Sequence, residues 1–287
     1  MPGRLLLCPT PLGNLEDVTL RVLRTLRESD VIFAEDTRVS ETLLRRYEIR
    51  TPMRSFHERV EERRLRELRA LLHEGKTVAV VTDAGMPGIS DPGVSLVRAA
   101  RAADASVEVL PGPSALLGAL VLSAFDVSRF RFEGFPPRKR ATRRAYLESL
   151  RAETAVTIWY EAPTRVRALL EDVDALFAQR RVFALREYTK KFEEHLIGTA
   201  AAVLQALSDP PRGEFVIVLD GASAATDDEA IPQRVADAMA LLLENGVRAR
   251  LAVDALVAAT GLRKNDVYAL SRSIGGRALT DGDSNPD

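Results

Sequence analysis

Three short loops have the composition of ligand loops, and each follows an apolar run. Cys8-Pro9-Thr10-Pro11-Leu12-Gly13-Asn14-Leu15 follows residues 4–7. Thr82-Asp83-Ala84-Gly85-Met86-Pro87-Gly88 follows residues 78–81. Pro111-Gly112-Pro113-Ser114-Ala115 follows residues 106–110. Small residues let a ligand approach backbone closely, and in α/β sheets ligands bind beyond the carboxyl ends of strands. No loop carries the G-x-G-x-x-G fingerprint or a P-loop, which disfavours NAD and ATP.

Ionisable groups follow two further runs. Glu35-Asp36-Thr37-Arg38 ends residues 31–34. It could hold a carboxylate proton acceptor, or be a solvated turn in which Thr37 or Ser40 caps the next helix. Glu187 and Lys190 follow residues 181–185 in the same way. His57, after Met53-Arg54-Ser55-Phe56, reads equally as a structural histidine or a site residue. Cys8 reads as a small buried residue, not a nucleophile. The three histidines, His57, His73 and His195, are far apart, so no metal is expected.

The elements positioning these groups follow from apolar periodicity. Residues 1–116 alternate β-branched runs with helices and predict a parallel sheet with its loops on one edge. In that domain Asp17 is expected to cap a helix over residues 18–28. Asp91, with Pro92 at the first helical position, should cap one over residues 94–103. Residues 116–124 read as a buried helix of small residues. Residues 117–222 form a second α/β domain with strands over residues 131–137, 155–160, 181–185 and 215–219. A hairpin strand over 193–197 makes this sheet mixed. Residues 223–230 read as a linker, and residues 276–287 as a disordered tail.

Between linker and tail, residues 231–275 predict three helices with helix-turn-helix spacing, Arg263, Lys264 and Asn265 opening the last. Residues 231–277 carry seven Arg or Lys against four Asp or Glu. The densest basic run is Arg138, Lys139, Arg140, Arg143 and Arg144, which suits an anionic polymer or a phosphate.

The chain has 287 residues, 46% of them hydrophobic, with net charge −1. A large core is affordable, and only local basic surface can attract nucleic acid. One cysteine excludes an internal disulfide framework and fits a reducing cytoplasm. The N-terminal apolar stretch is too short for a signal peptide or a membrane span.

TPLGNLEDVTLR, FAEDTR, SFHE, VTDAGMPGISDPG, LPGPSA, FEGFPPRK, WYEAPTR, REYTK and RGEFVIV occur in this order. Together they closely resemble the ribosomal RNA small subunit methyltransferase I family, over residues 4 to about 275. Met86 and Thr164 stand where that family usually has threonine and histidine. The resemblance implies a two-domain α/β fold of the tetrapyrrole methylase type plus a small helix-turn-helix unit. It also implies a cytoplasmic homodimer that methylates the 2′ oxygen of a cytidine in small-subunit ribosomal RNA near the decoding centre.

The implied donor is S-adenosylmethionine. It would be held by Pro11, Gly13, Asp83, Ala84, Gly85, Met86, Pro87, Ser114 and Ala115, with Tyr160, Leu185, Gly213 and Glu214 closing over it. Asp36, Glu35 and Glu187 are the candidate proton acceptors, the first two favoured. Asn14, Arg38, His57, Arg138, Lys139, Arg140, Arg143, Arg144, Lys190, Arg263 and Lys264 are candidate RNA contacts. Two alternatives remain: a tetrapyrrole C-methyltransferase of the same fold, and a non-enzymatic helix-turn-helix regulator.

Overall fold

A computed structural model describes residues 3–57, 60–90, 93–222, 233–260, 262 and 264–277. The chain divides into two units, residues 1–222 and 223–287.

The first unit holds two sheets. β1 (Arg4–Leu7), β2 (Val31–Ala34), β3 (Met53–Ser55), β4 (Thr77–Val81) and β5 (Ser106–Val109) form a parallel sheet in the order β3-β2-β4-β1-β5. Alternate residues face opposite ways. Leu6, Ile32, Ala79 and Val81 pack with α1 (Leu20–Glu28) and α2 (Thr37–Arg46). Leu5, Leu7, Val31, Phe33, Val78 and Val80 pack with α3 (Glu61–His73) and α4 (Val94–Ala102). Burial on both faces is why these strands read as unbroken apolar runs. Because β4 lies between β1 and β2, the loops leaving β1 and β2 flank it and leave a crevice at the carboxyl edge.

Helix starts differ from expectation where a nearer side chain reaches the first turn. Thr19, not Asp17, caps α1, its Oγ1 accepting from Val22 N at 3.1 Å. Asp17 belongs instead to a 3-10 turn, Leu15–Asp17, that Asn14 caps. α2 starts earlier than the polar turn suggests, and its cap is Asp36, which accepts from Arg38 N at 2.9 Å. Gly93 precedes α4 as its cap residue; Asp91 and Pro92 lie outside the described residues.

The second sheet follows α5 (Ala115–Ser123). It comprises β6 (Phe130–Phe132), β7 (Val156–Glu161), β8 (Arg181–Arg186), β9 (Glu194–Thr199) and β10 (Phe215–Leu219), in the order β6-β7-β10-β8-β9. β6 and β7 are parallel and the other pairs antiparallel, so the sheet is mixed. One face packs on α6 (Arg140–Glu148), α7 (Pro163–Phe177) and α8 (Ala200–Ala206). The other packs on Ala119 and Leu120 of α5.

α5 is not buried all round as its composition suggests, since Leu117 and Val121 are 54% and 77% exposed. A helix apolar on every side does not reveal from sequence which side meets the sheet.

The second unit packs α9 (Gln233–Glu244), α10 (Ala249–Thr260) and α11 (Lys264–Arg277) around Val235, Met239, Val253, Leu256 and Val267. α11 runs through residues 276 and 277, where a tail was expected. The expected linker, residues 278–287 and Arg263 lie outside the described residues. Among the described residues no helix is long and apolar enough to cross a membrane.

Candidate active site

The three small-residue loops meet at one edge. Thr10 and Gly85 exchange backbone hydrogen bonds, each 3.0 Å, and Thr10 Oγ1 donates to Thr82 O at 3.0 Å. These bonds tie the loop after β1 to the loop after β4. Gly85 has φ 79°, and a β-carbon there would lie 3.1 Å from Leu12 and 3.8 Å from Pro113 O. The third loop therefore lies against the second. At Gly112 a β-carbon would press on the Pro9 ring at 2.7 Å. Glycine is thus favoured at both places, at Gly85 by its positive φ and at Gly112 by the Pro9 ring.

A pocket of about 600 Å³ opens beside these loops. It is lined by Pro11, Gly13 and Asp83 of the expected ligand set, by Asp36 and Arg38, and by Thr10, Leu12, Leu15, Val39, Ser40, Thr42, Leu43 and Thr82. The threonines and the apolar wall escaped the sequence reading, although Thr10 and Thr82 stand at strand ends within the quoted loops. Ala84, Met86, Pro87, Ser114 and Ala115 are not part of this lining. Instead, Ala115 joins the apolar cluster that contains Leu116, Tyr160 and Tyr188 under the second sheet. Leu185, expected to close over a ligand, is wholly buried in that cluster and offers it no side-chain surface.

The charged groups after β2 form a clamp. Arg38 Nε donates to Asp36 Oδ1 at 3.0 Å and Nη2 to Oδ2 at 2.5 Å. The guanidinium, with the Arg38 amide, holds the Asp36 carboxyl down at about 2. Asp36 N donates to Asp83 Oδ1 at 3.1 Å, and Asp83 N to Glu35 Oε2 at 3.3 Å. Desolvation raises the Asp83 pKa, and the charges of Asp36 and of Glu214, which immediately precedes β10, add to it. His57 is near enough to lower Asp36 further. The candidate acceptor Asp36 is thus ionised but weakly basic, whereas Asp83, expected as a donor contact, is drawn toward neutrality.

The second sheet contributes the facing group. Lys190 Nζ donates to Glu187 Oε1 at 3.1 Å and to Glu214 Oε2 at 2.8 Å. Glu214 N donates to Glu187 Oε1 at 2.9 Å. Burial would raise the Glu187 pKa, but this amide and the ammonium outweigh it and hold the carboxyl below its ordinary value. Burial would lower Lys190, but Glu214 and Glu187 outweigh it and raise it. The Lys190 charge, expected to meet a phosphate, is therefore matched by two carboxylates. Gly213, at φ 83°, makes room for the Glu187 side chain. Gly13 takes the Lys190 stem, and Asn14 N donates to Thr189 Oγ1 at 3.1 Å, so the loop after β1 closes onto this cluster.

The basic run divides in two. Arg138, Lys139 and Arg140 are exposed and Arg144 is half-buried. Arg143, expected as a surface cation, is instead buried: its Nη2 lies 2.7 Å from Asp172 Oδ2, and Asp172 is 1% exposed. A buried carboxylate needs partners, and α6 supplies them across to α7: Arg143, and Arg140 whose Nε donates to Asp172 Oδ1 at 3.2 Å. In the second unit Lys264 Nζ donates to Asp254 Oδ1 at 2.6 Å.

Residues 4–204 match the family model described as Tetrapyrrole (Corrin/Porphyrin) Methylases. The chain is 46% identical over 220 residues to a ribosomal RNA small subunit methyltransferase I of Thermotoga maritima, covering 76% of this chain and 99% of that one. It is 39% identical over 274 residues to the protein of that name in Halalkalibacterium halodurans, covering 93% of each. The chain belongs to the ribosomal RNA small subunit methyltransferase I family. A uroporphyrin-III-C-methyltransferase structure from Thermus thermophilus, 20% identical, shares the fold at a TM-score of 0.53, covering 77% of this chain and 93% of that one.

This methyltransferase takes its methyl group from S-adenosylmethionine, and its residues fit that donor. Gly85 and Gly112 keep this part of the loop edge free of side chains of their own. The first turn of α5 has no side-chain cap from Ser114, so its amides would be the groups to hold the donor's carboxylate. Half-buried Tyr160 offers an apolar wall next to Ala115.

Proposed function

We propose that this methyltransferase methylates the 2′ oxygen of a cytidine ribose in small-subunit ribosomal RNA near the decoding centre, as a cytoplasmic homodimer. The observation that carries the reading is the juxtaposition of two charge clusters. Asp36, Arg38 and Asp83 come from the first sheet, Glu187, Lys190 and Glu214 from the second, and both adjoin the donor loops. The names of the relatives support the RNA substrate.

Bound S-adenosylmethionine supplies an electrophilic methyl carbon on a good neutral leaving group. The chain holds the ribose oxygen in line with it, and such positioning supplies about 7–11 kcal/mol where geometry is ideal. The ribose hydroxyl loses its proton as the new C–O bond forms. Asp36 or Glu187, ionised at neutral pH, accepts it, an effect of roughly 10²–10⁴-fold. Arg38 holds a flanking phosphate, while Asn14 and His57 border the RNA path. The exposed cations Arg138, Lys139 and Arg140 and half-buried Arg144, with Arg263 and Lys264 of the second unit, grip the RNA backbone, and that grip weakens with salt.

Leu117, Val121 and Leu122 on the outer side of α5 supply apolar surface for the homodimer. Light scattering of Val121→Arg tests this: a monomer is expected, and an unchanged mass removes α5 from the interface. For the reaction, ribosomal RNA from a strain lacking the activity is incubated with the protein and digested to nucleosides. Mass spectrometry should find 2′-O-methylcytidine; a base-methylated nucleoside would overturn the ribose assignment.

A further inference from the structure

We infer that Phe135 is a stacking platform for an unpaired base of the RNA substrate, an inference that rests on the RNA reading above. Phe135 is 53% exposed. It is nevertheless fixed in place. The Arg165 guanidinium carbon sits over its ring, 5.8 Å from the centroid, and Arg165 is itself paired with Glu161, Nη2 to Oε1, at 2.5 Å. Tyr160 meets the ring edge-on at a centroid distance of 6.1 Å and 65°. Tyr160 in turn packs on Phe132 at 4.9 Å. Gly134, at φ 61°, turns the chain after β6, and its carbonyl accepts from Tyr160 N at 2.8 Å.

The ring is thus held by an anchored cation and an aromatic neighbour, and much of its surface is left to solvent. Its surroundings favour RNA. Three residues further on, the exposed cations Arg138 and Lys139 begin, so in the chain an apolar ring is followed by charges that suit a phosphate backbone. Tyr160, on which the ring packs, is one of the residues expected to close over the donor. Single-stranded and splayed RNA is recognised by this combination of ring stacking and backbone charge. Stacking tolerates any base, so Phe135 should set affinity and placement, not the choice of nucleotide.

The test compares the full chain with Phe135→Ala, Phe135→Trp and Arg138→Ala/Lys139→Ala. The readouts are small-subunit RNA affinity by filter binding, methylation KM and kcat, donor affinity by calorimetry, and mass by light scattering. Phe135→Ala should weaken RNA affinity about 5- to 100-fold, the range for one stacked base. Donor affinity, mass and the slope of log affinity against log salt should be unchanged. Phe135→Trp should restore binding. Arg138→Ala/Lys139→Ala should instead flatten that slope. RNA affinity of Phe135→Ala within twofold of wild type overturns the proposal. So does an equal loss of donor affinity, which would make the ring part of the donor wall, or a change of mass, which would make it an interface between copies. If the wild type neither binds nor methylates RNA, the RNA reading itself falls. If it does both and Phe135→Ala matches it, only the platform falls.

Discussion

Arg38 grips both carboxylate oxygens of Asp36 while Asp36 caps the helix that carries Arg38, with Nε 3.0 Å from Oδ1 and the Arg38 amide 2.9 Å from the same atom. One residue thus does two separable jobs. Asparagine caps helices as well as aspartate, whereas alanine costs about 1 kcal/mol at such a position. Asp36→Asn should therefore leave the melting temperature near wild type but lower kcat, by roughly 10- to 100-fold if charge at this position aids proton removal. Asp36→Ala should lower both. Steady-state kinetics and thermal melts on the two variants separate the roles.

The same pair fixes a pH window. The Asp36 carboxyl is lowered from 3.8 to about 2 in the folded chain. A depressed acid stabilises the fold above its unfolded value, and that contribution disappears as pH falls through the folded value. The pair should persist at pH 4 and dissolve only toward pH 2. A carbon-13 NMR titration of the Asp36 carboxyl reads this directly, and Arg38→Ala should return the midpoint toward 3.8.

Gly213 is constrained twice, by φ 83° and by the Glu187 side chain, which a β-carbon would strike. Gly213→Ala should destabilise by at least about 1 kcal/mol. It should also displace Glu187 from Lys190 and lower kcat beyond the stability loss. Denaturant unfolding and kinetics at a temperature where the variant is folded check both parts.

Arg143 and Arg138 lie in one basic run but should behave oppositely. Arg143→Ala leaves Asp172 buried without its main partner and should cost about 3 kcal/mol. Arg138→Ala should leave stability within about 0.5 kcal/mol and reduce the salt dependence of RNA binding. Chemical denaturation and binding at several salt concentrations distinguish them.

Cys8 lies beneath the loop after β1, with its thiol pushed up to about 12 by burial. Native protein should resist thiol reagents and react fully once unfolded. Rapid labelling of the folded chain would contradict the packing under that loop.

What the sequence made legible follows from which forces are local. The strands ending at Leu7, Ala34 and Val81 were visible because burial on both faces leaves unbroken apolar runs. The three loops were visible because glycine and proline are needed wherever backbones touch. Arg143 looked like its neighbours because its partner, Asp172, lies 29 residues away on another helix. Leu185 was read as a ligand contact because sequence cannot show that α5 covers it. The helix cap at Asp36 was missed because Thr37 and Ser40 offered equally plausible local hydroxyls. Phe135 stood within a quoted motif, but its exposure exists only in three dimensions.

The central claim is that the first unit's charge clusters direct a methyl group onto ribose in RNA. Its most direct test offers the protein labelled S-adenosylmethionine with three acceptors: small ribosomal subunits from a strain lacking the activity, naked ribosomal RNA, and a tetrapyrrole precursor. Label is expected in RNA that survives alkali as a dinucleotide, because a methylated 2′ oxygen cannot attack the adjacent phosphate. Label confined to the tetrapyrrole, or RNA label lost from the dinucleotide fraction, would contradict it.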